Sequence, residues 1–344
     1  MPSQLKKCVY PNNILIVSNN GDTISCPLES GNKKIANIHD GLLNSWNNEG
    51  YSTFRNNLNE YLEDKSRVCW QCNKLEKNGA NSLRKEFPLL SDQPSLKGIQ
   101  FKLSNKCQLT CAHCGPLLSS SWAKFLGKSN IIQNFEMPDK VIDELSTLLP
   151  NLNFIRFTGG EPFVDPTHWK ILERLENSKK GNCELHYITN GLGKVKTELW
   201  QSWPKVQIML SVDGFKESYE WFRRGASWDK LIKNYELFKS LPNVKIKINF
   251  SVTPWTINYL ADCKEYFQED FITVPVMDPS HASLSSFTHD EYTRLGLTKY
   301  EKYSNIVGSN PKSTTYLKHW ALQWDKRWNT IGQAEKIHPW LLEI

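Results

Sequence analysis

Cys107, Cys111 and Cys114 stand in the run Cys107-Gln108-Leu109-Thr110-Cys111-Ala112-His113-Cys114. Three thiolates can hold a four-iron, four-sulfur cluster and leave its fourth iron without a protein ligand, an open position at which another molecule can bind. With His113 the same cysteines could instead form a three-sulfur, one-nitrogen zinc site. Position argues against that, because zinc ligands usually come as two pairs from separate turns, and His113 is wedged between Cys111 and Cys114. A second group, Cys8, Cys26, Cys69 and Cys72, has enough thiolates to complete a cluster with no open iron, or to bind structural zinc. Cys183 and Cys263 complete the nine and read as small buried hydrophobes.

The C-x3-C-x2-C spacing resembles the motif of radical S-adenosylmethionine (radical SAM) enzymes. The resemblance implies that the open iron chelates the amino and carboxylate groups of the methionine moiety of S-adenosylmethionine. About fifty residues further on, Thr158-Gly159-Gly160-Glu161-Pro162 resembles the family's GGEP motif. Its glycines would let backbone carbonyls approach the methionine ammonium, and Glu161 would add charge-assisted binding; read by itself, the run is also a strand-ending turn. Thr189-Asn190 and the pair Ser211 and Asp213 resemble polar strand ends that line the ribose side, although Asp213-Gly214 alone could cap a turn. Arg223 or Arg224 could clamp the cofactor carboxylate, or either could make a surface ion pair. His113 departs from the aromatic residue the family generally has near adenine, which leaves stacking, a polar contact or an acid-base role open.

These residues need a frame. From about Gly98 the chain alternates short β-branched or aromatic runs with longer amphipathic stretches, as repeated β-α units do. Six strands are expected, at Ile99–Leu103, Phe154–Phe157, Glu184–Ile188, Val206–Val212, Val244–Val252 and Phe271–Val276, with Trp169–Leu175 and Trp228–Leu241 helical. The fold class is therefore α/β, resembling the partial (β/α)6 barrel of the radical SAM superfamily over residues 98–280. In such barrels functional groups gather at the carboxyl ends of the strands, where each motif falls.

Residues 1–85 read as a small α+β cysteine-rich domain. Cys8, twelve residues, Gly21, four residues and Cys26 resemble the opening of SPASM and twitch extensions, which hold auxiliary clusters. Ile14–Ser18 and Thr23–Cys26 flank Asn19-Asn20-Gly21-Asp22, a hairpin signal that would return Cys26 toward Cys8. Helices are expected over His39–Asn47 and Tyr51–Glu63, before Cys69 and Cys72 close the site. Glu76, Gly79, Ser82 and Arg84 are similar to a recurring tail of twitch enzymes, and 86–97 reads as a linker. Residues 281–344 form a helical extension in which Trp320, Trp324 and Trp328 make an aromatic stripe suited to packing on the barrel. Trp324-Asp325-Lys326-Arg327 and His338-Pro339-Trp340 also resemble the tail of twitch enzymes.

Of the 344 residues 39% are hydrophobic and 12% aromatic, ample material for a core. A net charge of +6, scattered without a polybasic block, implicates no nucleic acid. The sequence has no apolar leader and no run long enough to span a membrane, so a cytoplasmic protein without a membrane partner is expected.

The resemblance implies two 4Fe-4S clusters, S-adenosylmethionine, and an external one-electron donor such as flavodoxin or ferredoxin. Reductive cleavage of S-adenosylmethionine would give a 5'-deoxyadenosyl radical that takes a hydrogen atom from substrate, preferably a peptide or protein side chain. One alternative is dehydrogenation or rearrangement of a small carbohydrate-like or nucleotide molecule. A rival of another class is a zinc-stabilised binding module without chemistry.

Overall fold

A computed structural model describes residues 8–28, 34–58, 69–77, 82–86, 89–91, 93–133, 135–308, 312 and 314–343. Its strands are β1 (Ile14–Val17), β2 (Asp22–Ile24), β3 (Ala36–Asn37), β4 (Gly98–Lys102), β5 (Thr110–Cys111), β6 (Phe154–Thr158), β7 (Glu184–Thr189), β8 (Val206–Ser211), β9 (Arg223–Arg224), β10 (Val244–Val252) and β11 (Asp270–Pro275). Nine of them form one sheet in the order β11-β10-β8-β7-β6-β4-β1-β2-β3. From β4 to β11 the pairings are parallel, and these are the six strands of the expected partial barrel.

Alternation sorts the two faces of this sheet. Ile99, Phe101, Ile155, Phe157, Leu185 and Tyr187 are buried on one side. Helices Asp139–Leu148, Pro166–Leu175 and Trp228–Lys239 bury stripes such as Val141, Ile142, Leu145 and Ile171, Leu172, Leu175 in the same core. Their spacing of three and four residues keeps each stripe on one helix face. Each fully buried side chain of this size contributes about 1.5–3 kcal/mol. The register aligns Gln100, Arg156, His186 and Gln207 across neighbouring strands on the opposite, inner face. Asp165 caps the helix Pro166–Leu175 through the Thr167 N–H and accepts from Ser104 Oγ at 2.6 Å, which ties the helix start to the end of β4.

One feature differs from the sequence expectation. β1 pairs parallel with β4, Ile14 opposite Gly98 and Val17 opposite Phe101, so the hairpin extends the barrel sheet instead of standing apart from it. All four residues of Ile14-Leu15-Ile16-Val17 are buried, the pattern of a strand covered on both faces. The pairing also covers the edge that β4 would otherwise expose. Ser95 and Lys97 donate backbone hydrogen bonds to Asn12 and Asn13, so this end of the expected linker runs beside the hairpin.

The hairpin turn is the expected one, with Gly21 at φ +80 and the Ser18 N–H bonded to the Asp22 carbonyl. A helix occupies Glu49–Asn56; residues 59–63 of the expected longer helix, and Gly79, lie outside the described residues. In the helix Thr314–Arg327, Trp320 stacks on Trp324 at 5.3 Å, and both pack near Trp221, whose Nε1 donates to the buried Asp325. Among the described residues no helix is long and apolar enough to cross a membrane.

Candidate functional site

The loop carrying Cys107, Cys111 and Cys114 follows β4 and is fixed mainly through its backbone. Ser120 Oγ bonds both the N–H and the carbonyl of Cys107, Ser121 Oγ donates to the same carbonyl, and Ser119 Oγ donates to the Leu109 carbonyl. Trp122 Nε1 donates to the Cys111 carbonyl at 3.0 Å. From the carboxyl-terminal extension, His281 Nε2 lies 2.9 Å from the Ala112 carbonyl. The serine run beside the motif was a readable signal for this; nothing in the sequence pointed to His281.

Beyond β6, Gly160 and Glu161 bond the carbonyls of Ser104 and Lys106, so the Gly159-Gly160 turn lies directly on the approach to Cys107. A Cβ on Gly160 would sit 2.2 Å from the Lys106 carbonyl oxygen, and one on Gly159, at φ +119, 2.8 Å from that of Ser104. The close approach that requires glycine is therefore between the two loops. Thr158 ends β6 opposite Lys102, and Pro162 opens a short 3-10 turn. Glu161, buried, accepts from Thr189 Oγ1 at 2.5 Å, the Asn190 N–H at 2.6 Å and the Phe163 N–H at 3.1 Å. Burial raises its pKa to about 7. Its oxygens are committed to joining the ends of β6 and β7, a different use from the direct cofactor contact expected of it.

Asn190 Nδ2 lies 3.9 Å from Cys107 Sγ. Ser211 is buried at the end of β8. Asp213, fully buried, accepts from the Ser251 N–H at 2.7 Å and pairs with Arg223 at 2.5 Å. The register of β5 on β9 places Arg223 opposite Cys111, and Arg223 Nη1 is 3.9 Å from Cys111 Sγ. Alternation sends Arg224 to the other face, where it meets Asp325, Thr330 and Gln333. Burial works against the Arg223 guanidinium, but Asp213 and then Cys111 outweigh it and hold the group charged. His113 stacks on Phe222 at 5.1 Å and 8°. Burial lowers its pKa to about 4, so the ring is neutral and its 4.0 Å approach to Asp213 is polar, not ionic.

Cys8, Cys26, Cys69 and Cys72 line one cavity, with Pro11, Phe54, Leu58 and Arg84 among its walls. The hairpin and the helix Trp70–Lys77 thus bring all four together. Among the described residues no three His, Cys, Asp or Glu side chains are grouped as ligands of a single metal ion. Cys183 and Cys263 are fully buried elsewhere, and none of the nine cysteines forms a disulfide.

Both thiol groups fit iron–sulfur clusters. At the first, donors from Asn190 and Arg223 face the sulfurs, and Arg223 Nε and His113 Nδ1 are buried without hydrogen-bond partners among the described residues. At the second, four thiols surround a space instead of converging on a point. Burial pushes the Cys8 and Cys107 thiols up to about 12, and Cys26, Cys111 and Cys114 also shift upward. Below those values the metal-free thiols are protonated, so each must lose a proton on binding iron. Anaerobic iron uptake is therefore expected to increase from pH 7 to pH 9; uptake that stays flat over this range, by iron and sulfide content per chain, would contradict the assignment of buried thiols as ligands.

Residues 101–263 match the Radical SAM superfamily, and residues 8–73 match SPASM, an iron-sulfur cluster-binding domain. The chain is 25% identical over 223 residues to the radical SAM cyclopropyl synthase TigE of Paramaledivibacter caminithermalis, covering 60% of this chain and 46% of that protein. It is 30% identical over 99 residues to GTP 3',8-cyclase of Streptomyces coelicolor, covering 29% of this chain and 27% of that protein. The chain thus spans less than half the length of either relative. Streptococcus suis SuiB bound to precursor peptide SuiA aligns over 87% of this chain and 70% of that one, at 16% identity and a TM-score of 0.42, too loose a likeness to bear on substrate. These families imply a 4Fe-4S cluster with S-adenosylmethionine in the barrel and an auxiliary iron–sulfur cluster at the amino-terminal end. The parallel sheet, the thiols at its carboxyl edge and both family matches thus agree that the chain carries a radical SAM domain preceded by a SPASM iron–sulfur cluster-binding domain.

Proposed function

We propose that this enzyme abstracts a hydrogen atom from a peptide or protein side chain held against the inner face of the barrel, residues 98–280. The observation that carries the reading is the seating of Cys107, Cys111 and Cys114 beside the buried Arg223–Asp213 pair at the carboxyl ends of β4 and β8. When bound and reduced, the cluster and S-adenosylmethionine supply the 5'-deoxyadenosyl radical.

The chain's own residues do the rest. Cys107, Cys111 and Cys114 would hold three irons of the cluster, and Asn190 and Arg223 offer donors to the sulfurs, which would stabilise their negative charge. Arg223 Nε, buried without a hydrogen-bond partner among the described residues, would be the donor available to the cofactor carboxylate; Asp213 fixes Arg223, and Glu161 fixes Thr189 and Asn190, so both carboxylates act by positioning. Neutral His113, backed by Phe222, offers a flat stacking surface to adenine and no proton at neutral pH. The backbone of Thr158 to Pro162 and the side chain of Ser211 complete the polar rim. Cys8, Cys26, Cys69 and Cys72, all used as ligands, leave no open iron, which suits electron transfer and not substrate binding. From Gln93 to Phe135 the chain has five lysines and no acidic residue, a charge balance suited to an acidic one-electron donor such as flavodoxin or ferredoxin.

The peptide assignment is supported by the SPASM match. The similarity to GTP 3',8-cyclases favours a second reading, a nucleotide-like small molecule. Turnover of reduced enzyme with a peptide pool and with a nucleoside triphosphate pool separates them, with 5'-deoxyadenosine as readout. Acceleration by peptides above the substrate-free rate is expected; acceleration by nucleotides alone would replace the first reading with the second.

A further inference from the structure

Among the described residues lining the amino-terminal cavity, one carries a charge. Arg84 lines the wall with Cys8, Cys26, Cys69 and Cys72, and its side chain is 8% exposed. One edge of the guanidinium is fully engaged: Nε and Nη2 donate to Glu76 at 2.9 and 2.6 Å, and Nη2 also donates to Asn73 Oδ1 at 2.9 Å. Ser82 Oγ braces the same Glu76 carboxylate at 2.5 Å. The other end, Nη1, is buried and has no hydrogen-bond partner among the described residues. A buried charged donor left unmatched is costly unless something accepts from it.

We infer that Arg84 is a tuning residue for the auxiliary centre, held by Glu76 so that Nη1 donates toward the thiolate-bound cluster and makes that cluster a better electron acceptor. The inference rests on the reading of this cavity as a cluster site. The potential of an iron–sulfur centre depends on net charge, on hydrogen bonds to its sulfurs and on solvent exposure. A guanidinium donor stabilises the reduced state, which carries one more electron, and does so with little screening in a buried site. The helix-end cluster of Glu76, Asn73 and Ser82 is on this account an aiming device for one nitrogen, not an isolated surface ion pair.

The test uses the full chain with Cys107, Cys111 and Cys114 all replaced by alanine, reconstituted without oxygen, so that only the auxiliary centre contributes to the signal. A redox titration with a low-potential chemical reductant supplies one electron per centre, and electron paramagnetic resonance reads the reduced fraction. Arg84→Met is expected to move the midpoint to more negative potential. Glu76→Gln keeps the shape of the brace but removes its counter-charge, and is expected to move the midpoint the opposite way. Arg84→Lys, which keeps the charge and loses the planar fork, should fall between wild type and Arg84→Met, and serves if the Met variant fails to load. Opposite shifts cannot come from general loosening of the site. About four irons per chain with unmoved midpoints, or with shifts of the same sign, would overturn the role of Arg84 and leave the cluster assignment standing. Zinc or no metal in this background would remove the cluster assignment, and the tuning role with it.

Discussion

Protein in which Cys107, Cys111 and Cys114 are all alanine is expected to form no 5'-deoxyadenosine from S-adenosylmethionine and to retain about four of about eight irons per chain after anaerobic reconstitution. The first effect is total because the loop offers no further thiol; His113, the one imidazole inside the motif, is stacked on Phe222. The second is partial because Cys8, Cys26, Cys69 and Cys72 line a cavity of their own. The fold should survive the substitutions. The loop is held by Ser119, Ser120, Ser121, Trp122 and His281 through backbone atoms that alanine also has, and none of these bonds requires the sulfurs. Far-ultraviolet circular dichroism should therefore match wild type while the 5'-deoxyadenosine peak in chromatography disappears. Continued cleavage by the triple variant would reject the assignment of these three residues, and loss of all iron would mean that the amino-terminal thiols do not hold a cluster independently.

What the chain discloses before folding follows from how local each feature is. The spacing of Cys107, Cys111 and Cys114 is local, and so is the alternation that marks β4, β6, β7, β8 and β10; both are legible because the chemistry and the strand period act over a few residues. The hairpin at Asn19-Asn20-Gly21 is legible for the same reason. The choice between Arg223 and Arg224 is not local. It is made by the pairing of β9 with β5, more than a hundred residues away, and a shift of one residue in that register would send the other arginine to Cys111. The engagement of Glu161 with Thr189 and Asn190 likewise depends on the neighbouring position of β6 and β7, so a motif glutamate that looked free to meet a ligand is spent inside the fold. The parallel pairing of β1 with β4 could have been suspected from four consecutive buried-type residues, but the choice of partner needed the three-dimensional edge of the sheet. The zinc-module alternative, open on ligand count alone, is disfavoured by the Radical SAM and SPASM matches.

The Arg223–Asp213 pair carries the largest expected effect of any single charge in the barrel. Arg223→Met leaves Asp213 fully buried with one remaining donor among the described residues, the Ser251 N–H, and breaking a buried pair in this way costs about 3–5 kcal/mol. A fall of that size in denaturant-unfolding free energy is expected, together with loss of S-adenosylmethionine binding. Either effect alone would be ambiguous, since a damaged fold also binds poorly. The double variant Arg223→Met, Asp213→Asn separates them. Removing both charges eliminates the uncompensated carboxylate, while Asn can still accept from Ser251, so much of the lost stability should return. Binding should not return, because the guanidinium that faces Cys111, and that is proposed to bind the cofactor carboxylate, is still missing. A double variant that regains both stability and S-adenosylmethionine binding would reduce Arg223 to a structural partner of Asp213. One that regains stability alone makes the arginine a binding group whose buried carboxylate exists to hold it in place.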